Sequence, residues 1–334
     1  MPPRFPPDNN RRLSPFAQPA RERYRAGHRV KKGLLIHNPR AGSHTNGLLP
    51  VLTAALPDAE VLAVDEAGDV TARARQAAWV AVAGGDGTVE SIAAALIGTD
   101  VPLGIIPAGT YNNLARSLGI PSDPAEACEV VRTGRPTPTD VGFANGKPFF
   151  ECLGSGLDAA LYPLGEEIKS GRPDRWIDLL RKAWRYRRQR FQLTLDRPVR
   201  EALVRGAPNE SRLVHLLRRK RSGQILLSAL MVVVSNGPYF GMNFHVAPHA
   251  RPDDGHLTVT VFSRYSKLQL WWHFLSIAHG RREYRPTTVA FCVRKLRISG
   301  PRPLPVHLDG HPEKELWPLD IECRKGAIRI FRKA

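Results

Sequence analysis

The sequence holds only four cysteines, and no two of them form a C-x-x-C pair, which argues against a zinc site and against a disulfide framework. Cys128, Cys152, Cys292 and Cys323 suit a reducing, cytoplasmic setting instead. Histidines are no better organised, since His245, His249 and His256 lack a tight ligand spacing and read as loop residues. No apolar stretch approaches the roughly 20 residues of a membrane-spanning helix, and the longest, Ile225 to Val234, is about half of that with Ser228 inside it. The first residues are rich in proline and arginine and lack the apolar segment of a secretory signal. Basic runs interleaved with aromatic residues, the mark of RNA-binding modules, are missing as well, so specific nucleic-acid binding is not expected.

Acidic residues are scarce against 49 Lys and Arg, and the formal charge of +18 is unevenly placed. Residues 1–32 and 169–222 carry all of it, and the remainder is close to neutral. Such segments attract an anionic partner, either nucleic acid or the phosphates of a bilayer. Residues 1–28, with six prolines and no hydrophobic periodicity, read as a disordered basic arm.

Val80-Ala81-Val82-Ala83 ends abruptly in Gly84-Gly85-Asp86-Gly87-Thr88. A buried strand, a glycine-rich turn and then a helix, expected over Val89 to Ile97 with Gly98 as its stop, would gather backbone N–H groups at a helix N-terminus. That arrangement suits a phosphate. Around it the chain alternates strand and helix. Leu34 to Ile36, Glu60 to Val64, a strand from Trp79 and Leu103 to Ile106 read as strands, with helices at Thr71 to Ala78 and Ser122 to Val131, the latter opened by Ser122 or Asp123. The pattern predicts a parallel sheet whose ligand lies at the carboxyl ends of its strands. Asn38-Pro39-Arg40-Ala41-Gly42 and Pro107-Ala108-Gly109-Thr110-Tyr111-Asn112-Asn113 fall at such ends. Thr110 is read as a helix cap able to reach a phosphate, and Asn112 as a group that both donates and accepts.

Beyond Gly134 the texture becomes β-rich, beginning with a hairpin turned at Asn145-Gly146. A helix is expected over Trp176 to Phe191, with Trp176, Ile177, Leu180 and Trp184 on one face and arginines over most of the rest, either interfacial or packed on the second domain. Arg218-Arg219-Lys220-Arg221 reads as a loop, and Lys267 to His279 as an apolar patch that lines a lipid-chain pocket or belongs to the core.

The block Gly84-Gly85-Asp86-Gly87-Thr88 resembles the GGDGT signature of the diacylglycerol kinase catalytic superfamily. The Asn38 loop, the Pro107 to Arg116 block, Cys152-Leu153-Gly154-Ser155-Gly156-Leu157-Asp158-Ala159, Asp253-Asp254-Gly255 and Asp309-Gly310-His311 are similar to further segments of its lipid-kinase branch. The resemblance implies an α/β N-terminal domain with a parallel sheet, a β-rich C-terminal domain, and a nucleotide site in the cleft between them. It sets domains at 29–138 and 139–310, the second with a basic insertion at 169–222, and terminal strands at 311–334 returning toward the first.

By the same resemblance the activity is ATP- and Mg²⁺-dependent phosphorylation of a diacylglycerol- or sphingoid-like hydroxyl at the cytoplasmic membrane face. Asn38, Pro39, Gly42, Gly84, Gly85, Asp86, Gly87, Thr88, Gly109, Thr110 and Asn112 would hold the nucleotide, and Asp254 a metal. Asp86, Asp309 and His311 would be catalytic. Two departures stand out: Asn113 occupies a position that is Asp in many relatives, and His311 replaces the Glu that is the branch's proposed base, with Glu313 close behind it. A non-catalytic nucleotide- or lipid-binding protein and a soluble-substrate kinase are the competing readings. Oligomeric state is not legible.

Overall fold

The structure is a computed structural model that describes residues 32–41, 47–64, 70–204, 216–241, 244–263, 268–269 and 289–333. The basic arm, Gly42 and nearly all of the Lys267 to His279 patch therefore lie outside the described residues. Residues 32–334 form one compact unit.

Alternation of short aliphatic strands with amphipathic helices yields β1 (Gly33–His37), α1 (Leu48–Ala55), β2 (Ala59–Ala63), α2 (Val70–Gln76), β3 (Val80–Gly84), α3 (Asp86–Leu96), β4 (Leu103–Pro107), α4 (Asn113–Ser117) and α5 (Pro124–Thr133). The texture then changes as the sequence pattern requires, into β5 (Arg135–Ala144), β6 (Lys147–Phe149), β7 (Cys152–Gly156), α6 (Leu157–Lys169), α7 (Arg175–Arg185), β8 (Gln189–Leu195), α8 (Val199–Ala202), β9 (Gln224–Ala229) and β10 (Met231–Ser235). The remainder is β11 (Tyr239–Phe240), β12 (Phe244–His245), β13 (Leu257–Phe262), β14 (Val289–Val293), β15 (Lys295–Ser299), β16 (Val306–Leu308), β17 (His311–Glu313) and β18 (Leu319–Arg332).

Strands β2-β1-β3-β4 pair in parallel, and their inward residues pack with α1, α2, α3 and α5 into one core around Leu35, Ile36, Leu52, Leu96 and Ile106. The long β18 extends the same sheet: Ile330 pairs in parallel with Leu103 of β4, while residues from Leu319 to Glu322 pair antiparallel with β15, followed by β8 and β9. β5 runs antiparallel along β18, so residue 138 falls inside a strand rather than in a linker. The hairpin from β5 to β6 turns at Asn145 (φ 48°) and Gly146 (φ 85°), the left-handed pair that a two-residue loop demands.

A second sheet, in the order β14-β13-β10-β7-β16-β17, is antiparallel and faces the far half of the first across a core of Phe149, Phe191, Val232, Val259, Phe291 and Leu319. Its other face is covered by α6 and α7 through Leu157, Leu161, Leu179 and Val233. Strands covered on both faces read as continuous apolar runs, which is why β13 is buried throughout. The run Ile225 to Val234 is two strands in two sheets, broken at Leu230.

Two helix boundaries differ from the sequence expectation. The helix after the glycine loop starts at Asp86, three residues earlier than its apolar periodicity begins, so the loop's own carboxylate stands in the first turn. The helix expected to reach Phe191 ends at Arg185, where Tyr186 turns extended. From Gln189 the buried residues alternate as Phe191, Leu193 and Leu195, a period of two that places them in the sandwich core. Each such large side chain, fully withdrawn from water, stabilises the fold by about 2 kcal/mol, which outweighs the weak helical preference of the preceding arginines.

Candidate active site

The strand β3 delivers Gly84 and Gly85 to the N-terminus of α3, where no side chain caps the helix. Three elements meet there. Asn38 donates its Nδ2 hydrogen to Thr88 Oγ1 (2.9 Å) and accepts from Arg40 N–H at Oδ1 (2.9 Å), tying the loop after β1 to the glycine loop. Pro39 is exposed at the tip of that turn. Gly85 and Gly109 touch backbone to backbone: a β-carbon on Gly85 would stand 3.3 Å from Gly109 Cα, and one on Gly109 would stand closer still to Gly85 Cα. Gly87, by contrast, has open space where a β-carbon would sit. The first turn of α3 thus presents uncapped N–H groups and a glycine with no packing requirement, which fits a nucleotide phosphate.

The loop after β4 departs from its expected roles. Thr110 is exposed and does not cap α4; Asn112 does, in the left-handed region at φ 51°. Its amide folds back on Gly109, accepting from Gly109 N–H (2.9 Å) and donating to Gly109 O (2.8 Å). Both sides of the amide are therefore committed to shaping the loop.

Behind the glycine loop lies a buried acidic cluster. Asp86 accepts from Leu114 N–H (3.4 Å), and Glu151 lies within hydrogen-bonding reach of it. Glu151 follows β6, is 5% exposed, and accepts from Asn113 Nδ2 (3.1 Å). Glu90, one turn along α3 from Asp86 and 8% exposed, faces Asp86, Asp309 and Glu151. Three oxygens here lack a partner among the described residues: Glu90 Oε1, Glu151 Oε1 and Asn113 Oδ1. Burial raises all four carboxyls, Glu90 and Glu151 well above the ordinary range and Asp309 to about 6, with mutual repulsion adding to the glutamates.

Asp309 anchors the backbone. Its carboxylate accepts from the N–H groups of Phe150 (2.6 Å), Glu151 (2.9 Å) and Cys152 (2.8 Å), holding β7 against the turn between β16 and β17. His311 is exposed on β17, paired in register with Leu308, and Glu313 is engaged by Lys147 Nζ (2.7 Å). Asp254 accepts from His256 N–H within its own turn (2.9 Å), and its electrostatic neighbours are Cys292 and Cys323 rather than the acidic cluster. Among the described residues no group of three or more His, Cys, Asp or Glu side chains is arranged to hold a metal ion.

Sequence reasoning missed Glu90 and Glu151. The first had a faint signal, a carboxylate four residues after Asp86 on the apolar face of α3; the second sits in no recognisable motif. It also missed the neighbouring His307, which is fully buried, stacked on Phe240 (5.0 Å, 8°) and close to Tyr162 (5.5 Å). His307 Nδ1 accepts from Gly310 N–H (3.3 Å), which leaves Nε2 to donate to Asp158 Oδ2 (3.2 Å). Gly154 has no β-carbon because that pair fills the space.

The raised carboxyls set a pH dependence whose sign follows from linkage. A folded-state pKa above the unfolded one means the native protein binds more protons, so stability is highest in acid and is lost as pH rises through the folded values. From the ordinary carboxylate range near 4 through about 6 and above, where Asp309 and then the glutamates ionise, the melting temperature will fall. Glu90→Gln will remove part of that fall and raise stability at pH 8 by about 1–3 kcal/mol. A melting temperature that rises from pH 5 to pH 8 would refute the assignment.

The glycine-rich strand-to-helix turn and the carboxyl cluster beside it thus sit on an α/β sheet that continues into a β-sandwich. Residues 32–144 match the diacylglycerol kinase catalytic domain family, and residues 176–332 match the YegS C-terminal NAD kinase beta sandwich-like domain family. The chain thus carries a diacylglycerol kinase catalytic domain followed by a YegS-type C-terminal domain. It is 34% identical over 155 residues to a diacylglycerol kinase of Bacillus subtilis, covering 42% of this chain and 51% of that one. The chain thus spans about half the length of that relative. Against a diacylglycerol kinase of Mycobacterium tuberculosis it is 27% identical over 261 residues, 76% of each chain. A crystal structure of a candidate diacylglycerol kinase from Bacillus anthracis superposes with a TM-score of 0.67 at 26% identity, over 91% of this chain and 95% of the other.

Proposed function

We propose that the protein is an ATP- and Mg²⁺-dependent lipid kinase that phosphorylates the hydroxyl of a diacylglycerol- or sphingoid-like lipid at a membrane surface. The observation that carries this reading is the uncapped N-terminus of α3, with Gly87 open, standing beside the carboxyl groups of half-buried Asp86 and buried Glu151. Phosphoryl transfer needs phosphates held at backbone N–H groups and a nucleophile in line, with little covalent work by the protein. The hydroxyl oxygen forms a bond to the γ-phosphorus as its proton passes to the Asp86 carboxylate, the bond to the bridging oxygen breaks, and ADP leaves with the electron pair. Asn38 and Thr88 brace the phosphate loop, and Asp86 faces the transferred group. The names of the relatives from B. subtilis and M. tuberculosis support diacylglycerol as a first acceptor to try.

Transfer of labelled γ-phosphate from ATP to a mixed lipid extract tests the reading. Label in a hydroxyl lipid is the expected result, and absence of label from every lipid, with ATP bound, would sink it.

The membrane part of the proposal rests on α7. Leu179 and Ala183 pack inward toward α6, so the helix is seated through residues outside the apolar face read from sequence. Trp176, Ile177 and Trp184 remain 42%, 59% and 49% exposed, beside exposed Arg181, Lys182 and Arg185 and followed by Arg187 and Arg188. Aromatic and aliphatic groups ringed by cations suit the headgroup boundary of an anionic bilayer. No helix among the described residues is long and apolar enough to cross a membrane. Sedimentation with anionic vesicles will show binding that weakens with salt, and charge reversal at Arg185, Arg187 and Arg188 will weaken it by about a hundredfold or more, at roughly 1 kcal/mol per cation. Binding indifferent to salt would remove α7 as the docking element.

A further inference from the structure

We propose that Glu151 is held as a protonated carboxylic acid that donates a hydrogen bond to Asp86, and that it thereby fixes the charge and orientation of Asp86 toward the reacting phosphate. The inference rests on the kinase reading and assigns the positioning residue of that site.

Two carboxyl groups within hydrogen-bonding reach share one proton, because both cannot ionise without strong repulsion. Which of them keeps it follows from their surroundings. Asp86 stands at the N-terminus of α3, where the helix dipole favours negative charge, and it faces the backbone N–H groups of Asn112, Asn113 and Leu114. Glu151 has one donor, Asn113 Nδ2, on Oε2, and Oε1 is buried with no partner among the described residues. Ionised, Glu151 would leave that oxygen unpaired beside Asp86, Glu90 and Asp309, at a cost that a neutral acid avoids. Protonated, it becomes the side-chain donor that Asp86 lacks among the other described residues. The groups facing the pair are Glu90 on the same helix as Asp86, Asp309 from the turn after β16, Asn113 on α4 and Tyr162 on α6, and none of them carries a positive charge. A carboxylic acid kept neutral to donate a hydrogen bond in an active site is established chemistry.

His311, exposed on β17, has no part in this arrangement. The proposed carboxyl pair lies deeper, between α3 and the start of β7.

The test compares Glu151→Gln and Glu151→Ala. Glutamine also presents an N–H donor and cannot ionise, so Glu151→Gln will keep kcat within about tenfold of the wild type. Glu151→Ala will lose about a hundredfold in kcat with the KM for ATP within twofold. Any alkaline limb of the wild-type kcat/KM profile will be absent from Glu151→Gln. Carbon-13 NMR of protein labelled at glutamate carboxyls supplies a readout that needs no turnover: one carboxyl protonated at pH 7 will vanish in Glu151→Gln. A glutamine variant as impaired as the alanine one, an alanine variant as active as wild type, the same alkaline limb in wild type and Glu151→Gln, or no protonated signal assignable to Glu151 would each overturn the inference. If the wild type labels no lipid, the kinase reading falls, while the NMR signal still decides where the proton is held.

Discussion

Asp86→Asn will lower phosphate transfer to lipid by about a thousandfold and leave the protein folded with an unchanged or higher melting temperature. Asparagine keeps the size of the side chain and an oxygen that accepts from Leu114 N–H, so the join between the glycine loop and α4 survives. What it loses is the negative charge at the first residue of α3. Burial already raises the Asp86 carboxyl above its ordinary range, and the backbone N–H groups of Leu114, Asn112 and Asn113 only partly offset that. A neutral amide is easier to bury, hence the expected gain or neutrality in stability. Removing one group oriented toward developing charge costs about two to three decades in rate, and a thousandfold is about 4 kcal/mol of barrier. Parallel measurement of label transfer and thermal melting decides the matter. Retention of more than a tenth of the wild-type rate would show that Asp86 is a structural acid and not a participant.

The second large effect separates two glycines that look alike in sequence. Gly109→Ala will destabilise the protein by about 3 kcal/mol and nearly abolish transfer, because its new β-carbon meets the backbone of Gly85 and stands 3.0 Å from Asn112 Oδ1. Gly85 is backbone and the Asn112 amide is held by two hydrogen bonds to Gly109, so the two loops must part. Gly87→Ala faces no such contact, with nothing within 4 Å of the added carbon. Alanine is up to about 1 kcal/mol better than glycine within a helix, so stability will hold or rise slightly. The methyl group will stand where a phosphate is proposed to lie, and the KM for ATP will rise at least about tenfold. Melting curves and ATP titrations of the two variants test both statements. A Gly87→Ala protein with an unaltered KM for ATP would place the nucleotide elsewhere.

These variants act on different links of one chain of cause. Gly109 governs whether the loops after β3 and β4 meet at all, Gly87 whether the resulting N-terminus is accessible, and Asp86 what charge is offered there. Because the loops are joined by Asn38 to Thr88 and by Gly85 to Gly109, distortion of any one is transmitted to the others through direct contact.

Much of this was legible along the chain because the information is local. A strand of four aliphatics, a glycine-rich turn and a helix are written within Val80 to Leu96, and parallel strands follow from their alternation with helices. Asn145-Gly146 named its hairpin for the same reason, since only a few residues adopt two successive left-handed conformations. The two basic segments and the tryptophans of α7 were equally plain, although which face of α7 packs was not, because Leu179 and Ala183 are buried by α6 and not by anything in their own helix.

What the tertiary structure alone decided are the meetings of residues far apart in sequence. Glu151 reaches Asp86 and Asn113 because β7 is pinned by Asp309, which lies more than 150 positions further on. Asp309, Asn112 and Asp254 stand at motif positions, and each also accepts from a backbone N–H group that the motif does not announce. The amino-acid order determined the elements and the phosphate loop by local conformational preference. Which carboxyl is buried, which is paired and which holds a proton depended on neighbours brought together by folding, since desolvation and charge repulsion act through space and not along the chain.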